Sequence, residues 1–272
     1  MTRTRLAVWG DPIAHSRSPQ LHAAAYRVLG LDWEYGRRRV DAAGLETALA
    51  SLDESWRGLS LTMPLKEGAH RVADDRDRHA DLTGAVNTLL LGDRIRGFNT
   101  DVGGIVDALH EDGLGQVSHV RILGAGATAA SALVAVAEMG AQRVDLRARR
   151  PERAAPLLLL AEELGIDADV TPFDGGAEAT VDLTVATLPG GSVLGEELVE
   201  PLATAGGVLF DVAYAPWPSS LATVWPGEVI SGLGMLLHQA VRQIRVFQHA
   251  DPSIPLDDEA AVLTAMRAAL GS

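Results

Sequence analysis

The sequence predicts an α/β protein of two domains, and three observations carry that reading. Short apolar runs alternate with longer segments of helical period, as in repeated strand–helix units. The chain has 272 residues, ~1.8 times a typical single domain. One apolar strand runs directly into a glycine-rich turn that opens a helix, a self-contained nucleotide-binding pattern in the second half.

Along the chain, an apolar strand around Leu6–Trp9 ends at Gly10 and gives way to the loop Asp11–Arg17. Ser18-Pro19 has the pattern of an N-cap with a proline in the first turn of a helix that stops at Gly30. Strands are expected at Trp33–Val40, Gly58–Met63, Val86–Leu91 and Arg94–Phe98, with Asp93 suited to the tight turn between the last two. Helices fit Gly44–Leu52 and the segment after Pro64. Thr100 can cap a helix that runs to about Glu111, with Gly113 just beyond, and the domain boundary is expected near 102–113.

The second half opens with a strand at His119–Leu123 and a helix at Thr128–Met139 ended by Gly140. A strand at Arg143–Leu146, a helix at Pro151–Leu164 ended by Gly165, and strands at Val181–Ala186 and Val208–Val212 follow, a spacing that argues for a parallel sheet. The tail is helical at Met235–His249 and Asp258–Leu270.

Composition narrows the function. The chain has no cysteine, which excludes disulfides, iron–sulfur clusters, cysteine-bound zinc and a thiol nucleophile; no metal site is expected. A formal charge of −13 disfavours nucleic acid, whose binding draws on basic residues. No apolar run approaches the ~18 residues of a membrane span, and the first residues lead into a strand without a leader pattern, so a cytoplasmic protein is expected. No unexplained apolar stripe specifies an assembly, which leaves a monomer or a homodimer. Among 23 basic residues there is a single lysine, Lys66. A lysine that survives such an arginine bias suits a task arginine cannot perform, such as releasing a proton near neutral pH, although a surface lysine is the plain alternative.

The glycine turn is Gly124-Ala125-Gly126-Ala127-Thr128-Ala129. Small residues there let the backbone turn tightly and approach a pyrophosphate, which rests on the helix N-terminus. About 20 residues further on, an acid would read a free ribose 2′-hydroxyl. This chain instead has Ala148-Arg149-Arg150-Pro151-Glu152-Arg153. Guanidiniums at Arg149, Arg150 and Arg153 suit a 2′-phosphate, which makes NADP the expected cofactor; a solvated arginine-rich turn is the alternative.

In the first half, Ser16 and Ser18 flank Arg17 ahead of a helix, where hydroxyls and amide groups can hold a carboxylate; Ser18 can equally be only an N-cap. Thr62 stands at a strand end and Lys66 in the next first turn, where the helix dipole opposes a purely structural lysine. Asn87, Asn99 and Asp101 complete a set of polar residues at strand ends, although an acid in a first turn, as at Asp101, also has a structural explanation.

These residues stand in segments that resemble the shikimate dehydrogenase family. The segments are Gly10–Pro19, Thr62-x-Pro64-x-Lys66, Gly84-Ala85-x-Asn87-Thr88, Gly97-x-Asn99-Thr100-Asp101, the glycine turn, Asp211-x-x-Tyr214-x-Pro216 and Gly232-Leu233-Gly234-Met235-Leu236-x-x-Gln239. Seven ordered blocks span nearly the whole chain. The resemblance implies a substrate-binding and catalytic domain made of residues 1–102 and 236–272, to which the C-terminal helices return, and a Rossmann-type NADP-binding domain at 103–235. It implies reversible reduction of 3-dehydroshikimate to shikimate with NADP(H), a step of aromatic amino-acid synthesis.

Carried over by residue, the resemblance gives Ser16 and Ser18 to the substrate carboxylate and Thr62, Lys66, Asn87, Asp101 and Gln239 to the ring hydroxyls, with Tyr214 nearby. Lys66 and Asp101 would be the catalytic acid–base pair. Gly124, Ala125, Gly126, Ala127, Thr128, Arg149, Arg150 and Arg153 would hold the cofactor, with Thr187, Val212, Gly232 and Met235 bordering its nicotinamide. The sequence departs from the usual family pattern at Ser60 (often Asn), Ala127 (often Gly) and Ala148-Arg149-Arg150 (often Asn-Arg-Thr). The last leaves details of the 2′-phosphate clamp open. A quinate or quinate/shikimate dehydrogenase, another oxidoreductase for a small carboxylated alcohol, and a non-catalytic ligand sensor are the competing readings. The Lys/Asp pair argues against the sensor, and the missing acidic ribose reader against an NAD-dependent enzyme.

Overall fold

The structure, a computed structural model, describes residues 3–175 and 180–271. The chain forms two compact units, one of Met1–Gly104 with Leu236–Ser272, the other Ile105–Met235.

In the first unit, β1 (Thr4–Gly10) leads to α1 (Ser18–Val28), β2 (Trp33–Arg39), α2 (Leu45–Ala50), β3 (Trp56–Leu61) and α3 (Lys66–Val72). Then come β4 (Asp75–Arg76), α4 (Arg78–Thr83), β5 (Thr88–Leu90), β6 (Arg96–Phe98) and α5 (Thr100–Glu111). The six strands make one sheet in the order β2-β1-β3-β5-β6-β4. It is mixed: β1 runs parallel to β2 and β3, whereas β5 is antiparallel to β3 and β6. The short loop at Asp93 permits only an antiparallel return, while helical crossovers produce the parallel pairs. Its core gathers Trp9, Leu59, Leu65 and Leu89, all 0% exposed.

In the second unit, β7 (His119–Leu123), α6 (Ala127–Glu138), β8 (Arg143–Arg147), α7 (Ala155–Glu163) and β9 (Asp167–Thr171) form the first half. β10 (Leu183–Ala186), α8 (Glu196–Thr204), β11 (Val208–Asp211), α9 (Ser220–Val224) and β12 (Val229–Ser231) form the second. All strands are parallel, in the order β12-β11-β10-β7-β8-β9. The order reverses between β7 and β10, where open α/β sheets bind ligands at the carboxyl ends of their strands. Helices α10 (Leu233–His249) and α11 (Glu259–Leu270) close the chain, and α11 packs on α1.

Some sequence expectations change. Ser18 does not cap α1: Arg17 takes the N-cap position, no side chain caps the helix, and the Ser16 hydroxyl accepts the Ser18 amide at 3.4 Å. Thr100 starts α5, but the cap-like bond comes from Asn99, whose side-chain oxygen accepts the Asp101 amide at 3.0 Å. The helix expected at Pro151–Leu164 opens as a 3₁₀ turn at Pro151–Ala154 before α7, because Pro156 interrupts it. Elements β4, α4, β9, α8, α9 and β12 were not expected; most are too short for a periodic signal, and β9 is a polar edge strand. Among the described residues no helix is long and apolar enough to cross a membrane.

Candidate active site

In the first unit the site is built from the ends of β1 and β3 outward. The Thr62 amide donates to the Trp9 carbonyl at 3.0 Å and the Leu65 amide to the Thr62 carbonyl at 2.9 Å. With Leu65 fully buried, this turn fixes Lys66 as the first residue of α3. Lys66 Nζ donates to Asp101 Oδ2, and the two side chains are only 14% and 6% exposed. A pair so shielded from solvent interacts far more strongly than a surface salt bridge.

Asp101 lies in the first turn of α5, where the helix dipole favours a carboxylate. Its second oxygen, Oδ1, accepts from Asn87 Nδ2 at 2.8 Å. Asn87 is itself fixed: its Oδ1 accepts the Thr100 amide at 2.9 Å and the Thr88 hydroxyl at 2.8 Å. Behind it, Asn99 donates to the Thr83 hydroxyl at 2.8 Å, and its amide donates to Asp77 Oδ1 at 3.2 Å. Asp77 also caps α4 by accepting the Ala80 amide at 2.8 Å; burial raises its pKa, against the pull of these two amides. The carboxylate of Asp101 is thus held at both oxygens, one by a cation and one by a neutral amide.

A second line of polar groups joins Tyr35 to Asn87. Tyr35 donates to the Ser60 hydroxyl at 2.6 Å, Ser60 donates to Gln243 Oε1 at 2.7 Å, and Gln243 Nε2 reaches the Asn87 carbonyl at 3.4 Å. The His22 ring stacks on Tyr35 with centroids 3.8 Å apart, lies 3.3 Å from Gln243 Oε1 through Nε2, and meets the Tyr26 hydroxyl at 3.0 Å through Nδ1. Burial drives the His22 pKa down to about 3 and raises those of Tyr26 and Tyr35, so the cluster is neutral at physiological pH. Arg17, between the two serines, anchors their loop by donating to the Leu270 carbonyl at 2.7 Å. Gln239 donates to the Leu236 carbonyl at 2.8 Å and packs against Gly104, three residues beyond Asp101. Ser16, Ser18, Thr62, Lys66, Asn87, Asp101 and Gln239 all belong to the first unit; Tyr214 belongs to the second.

In the second unit the glycine turn follows β7 at the point where the strand order reverses. Gly124 has φ +121° and packs on the Thr187 hydroxyl, so a side chain there would be strained and would collide. Thr187 donates from both its amide and its hydroxyl to the Leu123 carbonyl, each at 2.9 Å. Gly126 is the N-cap of α6 with no side chain satisfying the helix, and a Cβ built there would point into open space. Ala125, Ala127 and Thr128 complete the turn into the helix. These are features a pyrophosphate group fits: uncapped amides, small residues and room for close approach. Arg149, Arg150 and Arg153 are exposed after β8.

The loop after β11 is tied by Asp211, whose oxygens accept the Ala213 amide at 3.0 Å and the Ser219 hydroxyl at 2.5 Å; Tyr214 sits between these two anchors. The Val212 amide donates to the Ala186 carbonyl at 3.0 Å, and Gly232 packs directly on the Val212 backbone. Met235 is 8% exposed. Beneath the turn, Asp145 bridges two buried guanidiniums, Arg121 at 2.8 Å and Arg147 at 2.7 Å. Burial acts to raise the Asp145 pKa, but the hydrogen bonds and charges of Arg147 and Arg121 outweigh it and hold the carboxyl below its usual range.

The sequence reading missed Tyr35, Gln243 and Arg17 as site supports and assigned Thr100 only a capping role. Gln243 had a legible signal, since it follows Gln239 by one helical turn on α10. Tyr35 had none, because its partners come from α1 and β3.

A sheet of this order with a glycine turn at its switch point defines a Rossmann-type dinucleotide-binding unit, and the other unit carries a buried lysine–carboxylate pair able to exchange a proton. Together they describe the dehydrogenase class. Residues 8–89 match the family described as the shikimate dehydrogenase substrate binding domain. The chain is 34% identical over 272 aligned residues to the NADP(+) shikimate dehydrogenase of Methanothermobacter thermautotrophicus, covering 93% of this chain and 94% of that one. It is similar to the crystal structure of Mycobacterium tuberculosis shikimate dehydrogenase, with TM-score 0.81, 39% identity and coverage of 97% and 99%. It is also similar to the shikimate 5-dehydrogenase of Thermus thermophilus in complex with NADP(H) and shikimate, with TM-score 0.79, 33% identity and coverage of 98% and 99%. The chain belongs to the shikimate dehydrogenase family.

Proposed function

We propose that this protein catalyses the reversible NADP-dependent reduction of 3-dehydroshikimate to shikimate, with Lys66 and Asp101 as its acid–base pair. The observation that carries the catalytic assignment is the shielded Lys66–Asp101 pair, whose carboxylate is pinned from the other side by Asn87. The reaction and cofactor are supported by the names of the relatives and by a related structure that holds both NADP(H) and shikimate.

The first unit binds the substrate. Ser16 and Ser18 hydroxyls hold its carboxylate, and Thr62, Asn87 and Gln239 contact ring hydroxyls; Tyr214 is given a substrate role by the family resemblance alone. As the ketone oxygen gains charge, the Lys66 ammonium donates the proton it needs; in the reverse direction neutral Lys66 takes the hydroxyl proton. Asp101 holds the ammonium in place, and Asn87 keeps Asp101 from rotating away. Arginine cannot cycle through a neutral form, which explains a lone lysine here.

The second unit holds NADP(H), which when bound supplies or accepts the hydride. Gly124 to Thr128 and the α6 N-terminus take the pyrophosphate. Arg149, Arg150 and Arg153 take the 2′-phosphate, and Thr187, Val212, Gly232 and Met235 flank the nicotinamide. The enzyme works in the cytoplasm, and since one chain carries every residue named, either a monomer or a homodimer suffices.

The test is the initial rate of nicotinamide absorbance change with shikimate and with quinate, each against NADP and NAD. Turnover confined to shikimate with NADP is expected. Comparable quinate turnover or a preference for NAD overturns the substrate or arginine assignment, and ligand binding without turnover overturns the catalytic one.

A further inference from the structure

We infer that Arg147 is a positioning residue for cofactor choice, its buried guanidinium fixing the turn from which Arg149, Arg150 and Arg153 reach a 2′-phosphate. The inference rests on the reading of those three arginines given above. It starts from a cost. The Arg147 side chain is only 5% exposed, and taking a guanidinium out of water is unfavourable unless its bonds are well made. Those bonds show what the charge is kept for.

Arg147 is the last residue of β8, and the backbone there is held on both sides. The Arg147 carbonyl accepts the Gly124 amide of the glycine turn at 2.8 Å, and the Ala148 amide donates to the Thr171 carbonyl at 3.2 Å. Strand β9, which ends at Thr171, is an edge strand with no buried residue, so apolar packing holds its end weakly. The Arg147 side chain supplies the missing hold. Its Nε donates to Asp145 Oδ1 at 2.7 Å, which aims the planar fork, and its Nη1 donates to the Pro172 carbonyl at 3.3 Å. That carbonyl also accepts the Gly175 amide at 3.1 Å, and a Cβ built on Gly175 would stand 3.4 Å from Nη1. The turn 172–175 therefore wraps over the guanidinium, and the fork grips the same corner as the Ala148 amide.

The arginine turn begins at that corner. Ala148 and Ala154 are buried at 4% and 0% exposure, and Arg149, Arg150 and Arg153 are exposed between them. The direction of the three guanidiniums depends on where Ala148 is pinned. A phosphate held by planar forks is sensitive to that direction, whereas a ribose with a free 2′-hydroxyl gives them no anion to hold. The bond from Gly124 to the Arg147 carbonyl is backbone, so it survives a change of side chain.

The experiment is calorimetric titration of the purified protein with adenosine 2′,5′-bisphosphate and with 5′-AMP, which differ only in the 2′-phosphate. Values of kcat/KM with NADP and NAD accompany it. Arg147→Met leaves Asp145 paired with Arg121 at 2.8 Å. It is expected to weaken the bisphosphate about five- to thirtyfold with 5′-AMP within about twofold, and to lower kcat/KM for NADP in the same proportion. Arg147→Lys, a milder change that keeps a cation beside Asp145 without the planar fork, is expected to shift the same ratio at least about threefold. With Arg149, Arg150 and Arg153 all replaced by glutamine, Arg147→Met is expected to add less than about twofold. Equal losses for both nucleotides, which a merely structural role predicts, overturn the inference. So does an unchanged ratio in either variant, or a full effect without the three exposed arginines. A wild type that binds the two nucleotides alike instead overturns the arginine reading on which the inference rests.

Discussion

Replacing Gly104 by alanine puts opposing local and tertiary effects in direct competition. Gly104 lies in α5, where alanine is worth ~0.5–1 kcal/mol of helix propensity over glycine. A Cβ at this position would stand 2.7 Å from Gln239 Cβ, 2.8 Å from its amide nitrogen and 3.0 Å from its Cα. Carbon contacts settle near ~3.5–4.0 Å, so α10 must retreat by roughly 1 Å at Gln239. Because the obstacle is backbone and not a flexible side-chain tip, overpacking costs ~1–3 kcal/mol. The net loss spans ~0–2.5 kcal/mol and centres near ~1.3 kcal/mol, a fall in Tm of ~3–5 °C for a protein of this size. Gln239 also moves away from the turn that holds Asp101, and KM for shikimate is expected to rise about tenfold while KM for NADP holds within about twofold. Thermal melts and steady-state kinetics on the purified variant check both. A higher Tm with unchanged KM, which propensity alone predicts, would refute the close packing.

Other outcomes are equally specific. Lys66→Arg keeps the positive charge beside Asp101 but loses the neutral form, so kcat is expected to fall ~10²–10⁴-fold with binding within about tenfold; near-normal turnover would remove Lys66 from the mechanism. His22, pushed down to about 3 by burial, stays neutral in the fold while the unfolded chain protonates near 6.5. Its contribution is therefore present in full above pH 6.5 and is lost toward about 3, at ~1.4 kcal/mol per pH unit. Denaturant midpoints should drop less steeply between those limits in His22→Asn than in wild type, and parallel curves would contradict this. Asp145→Asn removes the anion shared by Arg121 and Arg147 and is expected to cost ~3–5 kcal/mol in chemical denaturation; a loss below about 1 kcal/mol would show that the triad is not energetically coupled.

The second unit was the more legible half. Strand His119–Leu123 coincides with β7, and the helix after the glycine turn differs from α6 by one residue at each end, since apolar strands and alanine-rich helices bounded by glycine carry strong local signals. The first unit was less so. Its strand positions were readable, but its mixed sheet was not, because strand direction depends on where each connection leads. The polar residues at strand ends, Lys66 and Asp101 among them, were identifiable from their types and positions.

The sequence alone determined an α/β chain with a dinucleotide-binding turn, one lysine reserved against an arginine bias, and the family to which its motifs point. Tertiary structure decided what those residues touch. Lys66 and Asp101 stand 35 positions apart, and Asn87, Tyr35, Ser60 and Gln243 meet only because β2, β3, β5 and α10 converge. Periodicity and propensity act over a few neighbouring residues, whereas a hydrogen bond between distant residues forms only after the whole core has packed.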